Sequence, residues 1–384
     1  MNMESPVIRY HLEHRGKIEV RPKSPFETSE DLSLAYTPGV AEVCKTIAAE
    51  PETVQSLTNR SNTVAIVSDG SAILGLGNIG PSAGLPVMEG KAMIFKKMAD
   101  VDAVPLCIGT QDTEEIIRFC KQIEPSFGGI NLEDIAAPRC FEILDRLEKE
   151  LSIPVFHDDQ DGTAIVVLAG LLNAAKLRKT PLQDMKIVIN GSGAAGIAIA
   201  RLLMASGVPD IVLVDSRGIV ESSRHDLNGF KIIIAEQTNP RGLKGDLPTA
   251  LKGADAFIGV SVRDILDEAN VRDMADRPIV FAMANPDPEI LPDAALRGGA
   301  FIVGTGRSDF PNQINNALVF PGIFRALLDS NANPSACVLK GNMTEVKLAA
   351  AAAIASVVEP TTDHILPSVL DLSVAAAIRN AVCS

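Results

Sequence analysis

From Ile187 onward the chain falls into a rhythm that few folds accommodate. Short apolar runs stand at Ile187 to Ile189, Ile211 to Val214, Ile232 to Ile234, Ala256 to Val260, Ile279 to Met283 and Ala300 to Val303, most of them separated by helix-like or loop segments. Runs this short and this continuously apolar fit strands covered on both faces, and their alternation with helices fits a parallel, doubly wound sheet. The residues behind the first run sharpen the reading. Gly191-Ser192-Gly193-Ala194-Ala195-Gly196 follows Lys186 to Asn190 and opens the apolar helix Ile197 to Ala205. In that arrangement a tight turn aims the helix's free N–H groups at a pyrophosphate. Asp215 ends the next apolar run, where a carboxylate holds ribose hydroxyls and repels the extra phosphate of NADP, while Arg217 has the opposite preference. The expectation is a Rossmann-like NAD(P) site leaning toward NAD. A second match, Gly75-Leu76-Gly77-Asn78-Ile79-Gly80, lies in a longer glycine-rich loop followed by Pro81 and reads as a turn-dense loop.

At 384 residues the chain exceeds what one hydrophobic core usually serves. The expected division is an N-terminal α/β domain over residues 1–155, the nucleotide domain over 156–325, and a C-terminal helical segment over 326–384. The first third carries apolar runs at Thr63 to Val67 and Val104 to Ile108, with amphipathic stretches from Thr113 to Gln122 and from Leu132 to Leu151. A net charge of -13 argues against nucleic acid or an anionic membrane surface as partner. The longest apolar stretches are too short for a membrane span, and the charged start is unlike a signal peptide, so a cytoplasmic protein is expected. Cys44, Cys107, Cys120, Cys140, Cys337 and Cys383 are scattered without CxxC pairing and read as reduced thiols.

The chemistry-bearing residues lie mainly ahead of the nucleotide fingerprint. Asp158, Asp159 and Asp161 crowd behind the apolar run Ile153 to Phe156, and like charges this close repel unless a cation or proton offsets them. An acidic first turn of a helix is the competing explanation. The pair Glu133-Asp134 after Asn131-Leu132 poses the same choice: a capped helix start, or oxygen ligands that with Asp159 bind Mg²⁺ or Mn²⁺. Cys and His at zinc-ligand spacing are absent. Lys91, at the start of a helix-like segment, is either a solvated lysine or a general base whose pKa falls near a metal and a cationic nicotinamide. Tyr36 beside a Pro-Gly turn, Asn285 after an apolar run, and Asn315-Asn316 in a polar loop each have an ordinary packing or turn role to weigh against a site role.

Taken together, AYTPGVAEVC, SDGSAILGLGNIGPSAGLPVMEGKA, INLEDIAAPRCFEI, IPVFHDDQDGTA, INGSGAAG, ANPDPEI and FPNQINNALVFPGIFRALL resemble the malic enzymes of the short bacterial and archaeal type. The resemblance implies oxidative decarboxylation of malate to pyruvate and CO2, with NAD or NADP reduced and Mg²⁺ or Mn²⁺ required. It further implies Lys91 as general base, Tyr36 as general acid, and Glu133, Asp134 and Asp159 as metal ligands. Asn285, Asn315 and Asn316 then contact malate alongside Lys91, and Asp158 orients a ligand or tunes Lys91. It implies at least a homodimer, with the segment around Tyr36 near the interface. Two positions depart from the family pattern: Asp161 stands where relatives carry histidine, and Ala72 where the larger eukaryotic-type enzymes carry arginine. The substrate carboxylate must therefore be held by other groups. The rival readings are a malolactic-type enzyme that yields lactate and a catalytically silent nucleotide-binding regulator.

Overall fold

The computed structural model describes residues 5–335 and 337–383. Two sheets organise them. The first is four-stranded and parallel, in the order β2 (Asp102–Cys107), β1 (Thr63–Ser68), β3 (Gly129–Leu132), β4 (Val155–His157). The second runs β10 (Ile302–Thr305), β9 (Ile279–Ala282), β8 (Ala256–Gly259), β5 (Lys186–Asn190), β6 (Asp210–Asp215), β7 (Gly218–Ile219), parallel except for the short β7. Every residue of β1, β3, β8, β9 and β10 is buried, as a parallel sheet clad on both faces requires.

The helix Thr163–Arg178 is apolar nearly all round, with eleven buried residues, because it packs between helices Ala194–Ala205 and Met343–Ser356. One hydrophobic core joins both sheets through such helices, and a smaller one lies on the other face of the six-stranded sheet. The helix Phe320–Ala332 crosses the expected boundary at residue 325 without a break and packs onto the first sheet's side. There Phe320 and Phe324 stack against Phe95, with ring centroids 4.6 and 5.3 Å away, an arrangement favourable to aromatic pairs. Among the described residues no helix is long and apolar enough to cross a membrane.

Three expectations are corrected. Ile232 to Ile234 belong to the helix Gly229–Gln237, not to a strand: the Asn228 side chain accepts from the backbone N–H of Lys231 at 3.0 Å and starts a helix there. The amphipathic stretch from Leu132 forms a helix only over Arg139–Glu150, because Asp134 takes a left-handed φ of 54° after the end of β3. Cys337 and Cys383 are joined in a disulfide, not free. The backbone N–H of Lys340 donates to the Val382 carbonyl at 2.9 Å, which lays the C-terminal strand-like end beside the Cys337 segment. Cys44, Cys107, Cys120 and Cys140 are free thiols.

Candidate active site

The C-terminal ends of both sheets face a cavity of about 1320 Å³. That edge is where open α/β sheets gather ligands, since strand-end loops are free to carry side chains inward. Glu133 and Asp134 enter from the end of β3, Asp159 from the end of β4, and Asn285 from the loop after β9. Asn315 and Asn316 come from the turn before Phe320, and Lys91 from the middle of the helix Pro81–Ala99 rather than its start. Gly75 of the turn-dense loop lies so close to this edge that a Cβ there would sit 2.4 Å from the Asn285 carbonyl oxygen, and its φ is 72°.

Glu133, Asp134 and Asp159 each offer a carboxylate oxygen within 4.8 Å of the others. The helix-cap explanation of Glu133-Asp134 fails, because neither residue is helical and Asn131 donates its side-chain amide to Glu133 at 2.9 Å instead of capping a helix. The Asp134 backbone N–H donates to Asp159 at 2.8 Å, yet Asp134 Oδ2 is buried with no hydrogen-bond partner. Burial first, then the neighbouring Asp159 and Glu133, push the Asp134 carboxyl up to about 9. An orphaned acceptor among three converging carboxylates fits a hard divalent cation bound through oxygen.

Lys91 is buried, with its ammonium 4.2 Å from the centre of the Phe320 ring. It contacts Glu133 at 2.8 Å and makes a close ion pair with Asp158, which is fully buried. Burial alone would pull the Lys91 pKa down, but the Asp158 and Glu133 carboxylates outweigh it and hold it above the ordinary value. Without a cation the two carboxylates therefore hold the lysine protonated. Its release depends on what else claims Glu133. Nearby His157 is buried with neither ring nitrogen hydrogen-bonded, and burial pushes it down to about 4, so it is neutral at physiological pH.

The Asp161 departure acquires a partner. Asp161 accepts from Lys347 of the helix Met343–Ser356 at 2.7 Å, an ion pair that ties the acidic turn Asp158–Gly162 to the C-terminal helices.

A second cavity of about 740 Å³ is lined by Gly191, Ser192, Gly193, Asp215 and Lys231, and shares Ala137 and Ser261 with the first. Ala194 and Ala195 line the first cavity, so the glycine turn and the helix it opens bridge the two. At Gly196 a Cβ would sit 1.7 Å from the Gly191 carbonyl oxygen, which makes glycine obligatory for this close turn. Asp215 is more heavily committed than the sequence indicates. It accepts from Lys231 at 2.6 Å and Arg224 at 2.9 Å, and from the backbone N–H of Arg217 at 3.0 Å. The Arg217 side chain points away, 70% exposed and paired with Asp226. Lys231 and Arg224, not the Arg217 side chain, are the cations that reach Asp215, and nothing in their local sequence distinguishes them from surface cations. Burial raises the Asp215 pKa, but these donors outweigh it and leave the carboxyl below its usual value, ionised.

Tyr36 is not among the residues lining either cavity. It caps the helix Ser29–Ala35 and is 66% exposed. The helices Pro6–His14, Ser29–Ala35 and Val40–Ala49 bury no residue at all.

Comparison with known proteins gives a consistent picture. A family model for the malic enzyme N-terminal domain matches residues 15–148, and one for the malic enzyme NAD binding domain matches residues 160–384. An NAD-dependent malic enzyme of Geobacillus stearothermophilus is 55% identical over 96% of this chain and 76% of its own length. A bifunctional malic/malolactic enzyme of Bacillus subtilis is 50% identical over 100% of this chain and 92% of its own. The crystal structure of an NAD-dependent malic enzyme from Thermotoga maritima superposes with a TM-score of 0.94 at 48% identity, covering 99% of both chains.

Proposed function

Because the chain belongs to the malic enzyme family, we propose that its two adjoining cavities carry out the oxidative decarboxylation of (S)-malate to pyruvate and CO2 with reduction of NAD(P). One observation carries the reading. Lys91, the candidate base, touches Glu133 at the edge of a three-carboxylate cluster, in a cavity that adjoins a dinucleotide cleft.

The residues divide the work by position. Glu133, Asp134 and Asp159 would hold Mg²⁺ or Mn²⁺, which when bound polarises the substrate oxygen and steadies charge at the carbonyl formed on oxidation. Glu133 cannot serve fully as ligand and as partner of Lys91. Committing its carboxylate to a cation removes one of the two charges that keep Lys91 protonated, leaving Asp158 to orient the amine. Lys91 is then placed to take the hydroxyl proton as malate is oxidised, and Ala194 and Ala195 would line the side from which a coenzyme accepts the hydride. Asn285, Asn315 and Asn316 also line this cavity and would offer side-chain amides to malate.

Protonation of the product enol falls to Tyr36, which in a single chain lies outside the cavity. The reading places it at the site of a second copy, making the enzyme a homodimer with shared sites. The N-terminal segment that carries it exposes Val7, Tyr10, Phe26, Leu34 and Tyr36, an apolar surface of the kind that marks an interface. A cytoplasmic location agrees with the need for NAD(P).

Incubation with L-malate, Mn²⁺ and NAD should produce reduced coenzyme and pyruvate together, and EDTA should abolish both. Lactate without net reduction would instead favour malolactic chemistry, a reading with specific support from the bifunctional Bacillus subtilis relative. Absence of any malate turnover would leave the silent regulator.

For the coenzyme we propose a preference for NAD, because the ionised Asp215 repels a 2′-phosphate, while Lys231 and Arg224 reduce that repulsion. Lys231→Ala should therefore widen the preference, raising KM for NADP more than KM for NAD in parallel rate assays. An equal rise for both coenzymes would remove Lys231 from this role.

A further inference from the structure

We propose that Lys17 is the cation that holds the retained carboxylate of malate, a charge that Ala72 does not supply. The assignment rests on the malic enzyme reading of the cavity. Charge makes the demand. A divalent cation and Lys91 bring three positive charges to a cavity edged by the carboxylates of Glu133, Asp134, Asp158 and Asp159. A substrate dianion entering there is repelled unless another cation faces it.

Lys17 and Lys91 are the only lysine or arginine side chains among the described residues that line the cavity. Lys91 is taken up by Asp158 and Glu133. Arg139, just beyond the Glu133-Asp134 pair on the chain, is committed to the buried Asp69 at 2.8 Å and lies outside the lining. Ala72 itself lines the cavity and offers no charge.

The Lys17 ammonium has the right surroundings. It donates to the Pro86 carbonyl at 2.7 Å and has no carboxylate partner among the described residues; the Glu89 carboxylate accepts from the Lys17 backbone N–H at 3.2 Å instead. A Cβ built at Gly90 would lie 3.7 Å from the ammonium, so the charge rests against the bare helix backbone one residue before Lys91. One carbonyl leaves further donor capacity on a group with three N–H bonds.

Chemistry selects which carboxylate it holds. Decarboxylation withdraws electrons from the carboxylate that departs, and a cation fixed on that group would favour the ground state over the transition state. Lys17 therefore holds the carboxylate that stays in pyruvate. Such contact is made alike before and during the chemical step, so its loss should raise KM and spare kcat.

Lys17→Gln removes the charge but keeps a donor for the Pro86 carbonyl. It should raise KM for L-malate roughly ten- to hundredfold, the range for a charge-assisted hydrogen bond, with kcat within about threefold of the parent. KM for the coenzyme should stay within about twofold, and Lys17→Arg should recover most of the malate affinity. Calorimetric titration of L-malate in the presence of Mn²⁺ gives the same comparison without turnover. If the parent fails to reduce coenzyme, the malic enzyme reading falls, and this titration alone decides Lys17. Equal malate affinity in the parent and a folded Lys17→Gln variant would overturn the assignment, as would a coenzyme KM that rises in step with that of malate.

Discussion

Lys91→Met should lower kcat by roughly 10²- to 10⁴-fold, the usual contribution of a positioned general base. Met fills most of the aliphatic space under the Phe320 ring without supplying a proton acceptor. The substitution also strands Asp158 and Glu133, which lose their shared cation inside the protein. Leaving one partner of a buried pair uncompensated costs about 3–5 kcal/mol, so thermal midpoints must accompany the rates. The two effects separate on adding Mn²⁺. A cation at the three-carboxylate cluster offsets the stranded charge at Glu133 and should raise the variant's midpoint by more than the parent's, while turnover stays low. A folded Lys91→Met enzyme that turned over within a few fold of the parent would remove Lys91 as the base.

The strands of the second sheet were legible because burial on both faces leaves their interiors apolar; Ile279 and Val280, for example, are fully buried. Ile232 to Ile234 show the limit of that signal, since three isoleucines look alike in a strand and in a helix, and a cap three residues upstream of Lys231 decides. In the site, residues adjacent in sequence were legible: the Glu133-Asp134 pair, the acidic turn and the glycine fingerprint all meet at the sheet ends. Partners distant along the chain were not. Lys347 reaches Asp161 across 186 residues, the Lys17 segment reaches Glu89 across 72, and Cys337 finds Cys383 across 46. Each contact depends on how the elements pack, and a lone lysine or cysteine carries no local trace of it. The environment of Lys91 was not legible either. Burial lowers a lysine's pKa, but two carboxylates in contact outweigh it, and the sequence does not reveal that Asp158 turns inward to meet it.

Tyr36→Phe and Lys91→Met should each be nearly inactive alone, yet regain activity when their subunits exchange. Tyr36 is exposed at the end of the helix Ser29–Ala35, outside the cavity that holds Lys91. If each site takes its tyrosine from the partner, a mixed dimer contains one site with both groups intact and one with neither. Random exchange makes half the dimers mixed, so recovery approaches about a quarter of parental activity in a two-fold symmetric dimer. The N-terminal helices, which bury nothing within the chain, would lose their exposed apolar surface in that assembly. Such a contact also predicts that Leu34→Asp weakens the dimer and the rate together, read by sedimentation and by turnover against protein concentration. A tyrosine acting within its own chain gives a different result: no recovery on mixing at any ratio, however complete the exchange. That outcome would keep Tyr36 with the site of its own subunit and remove the shared-site dimer.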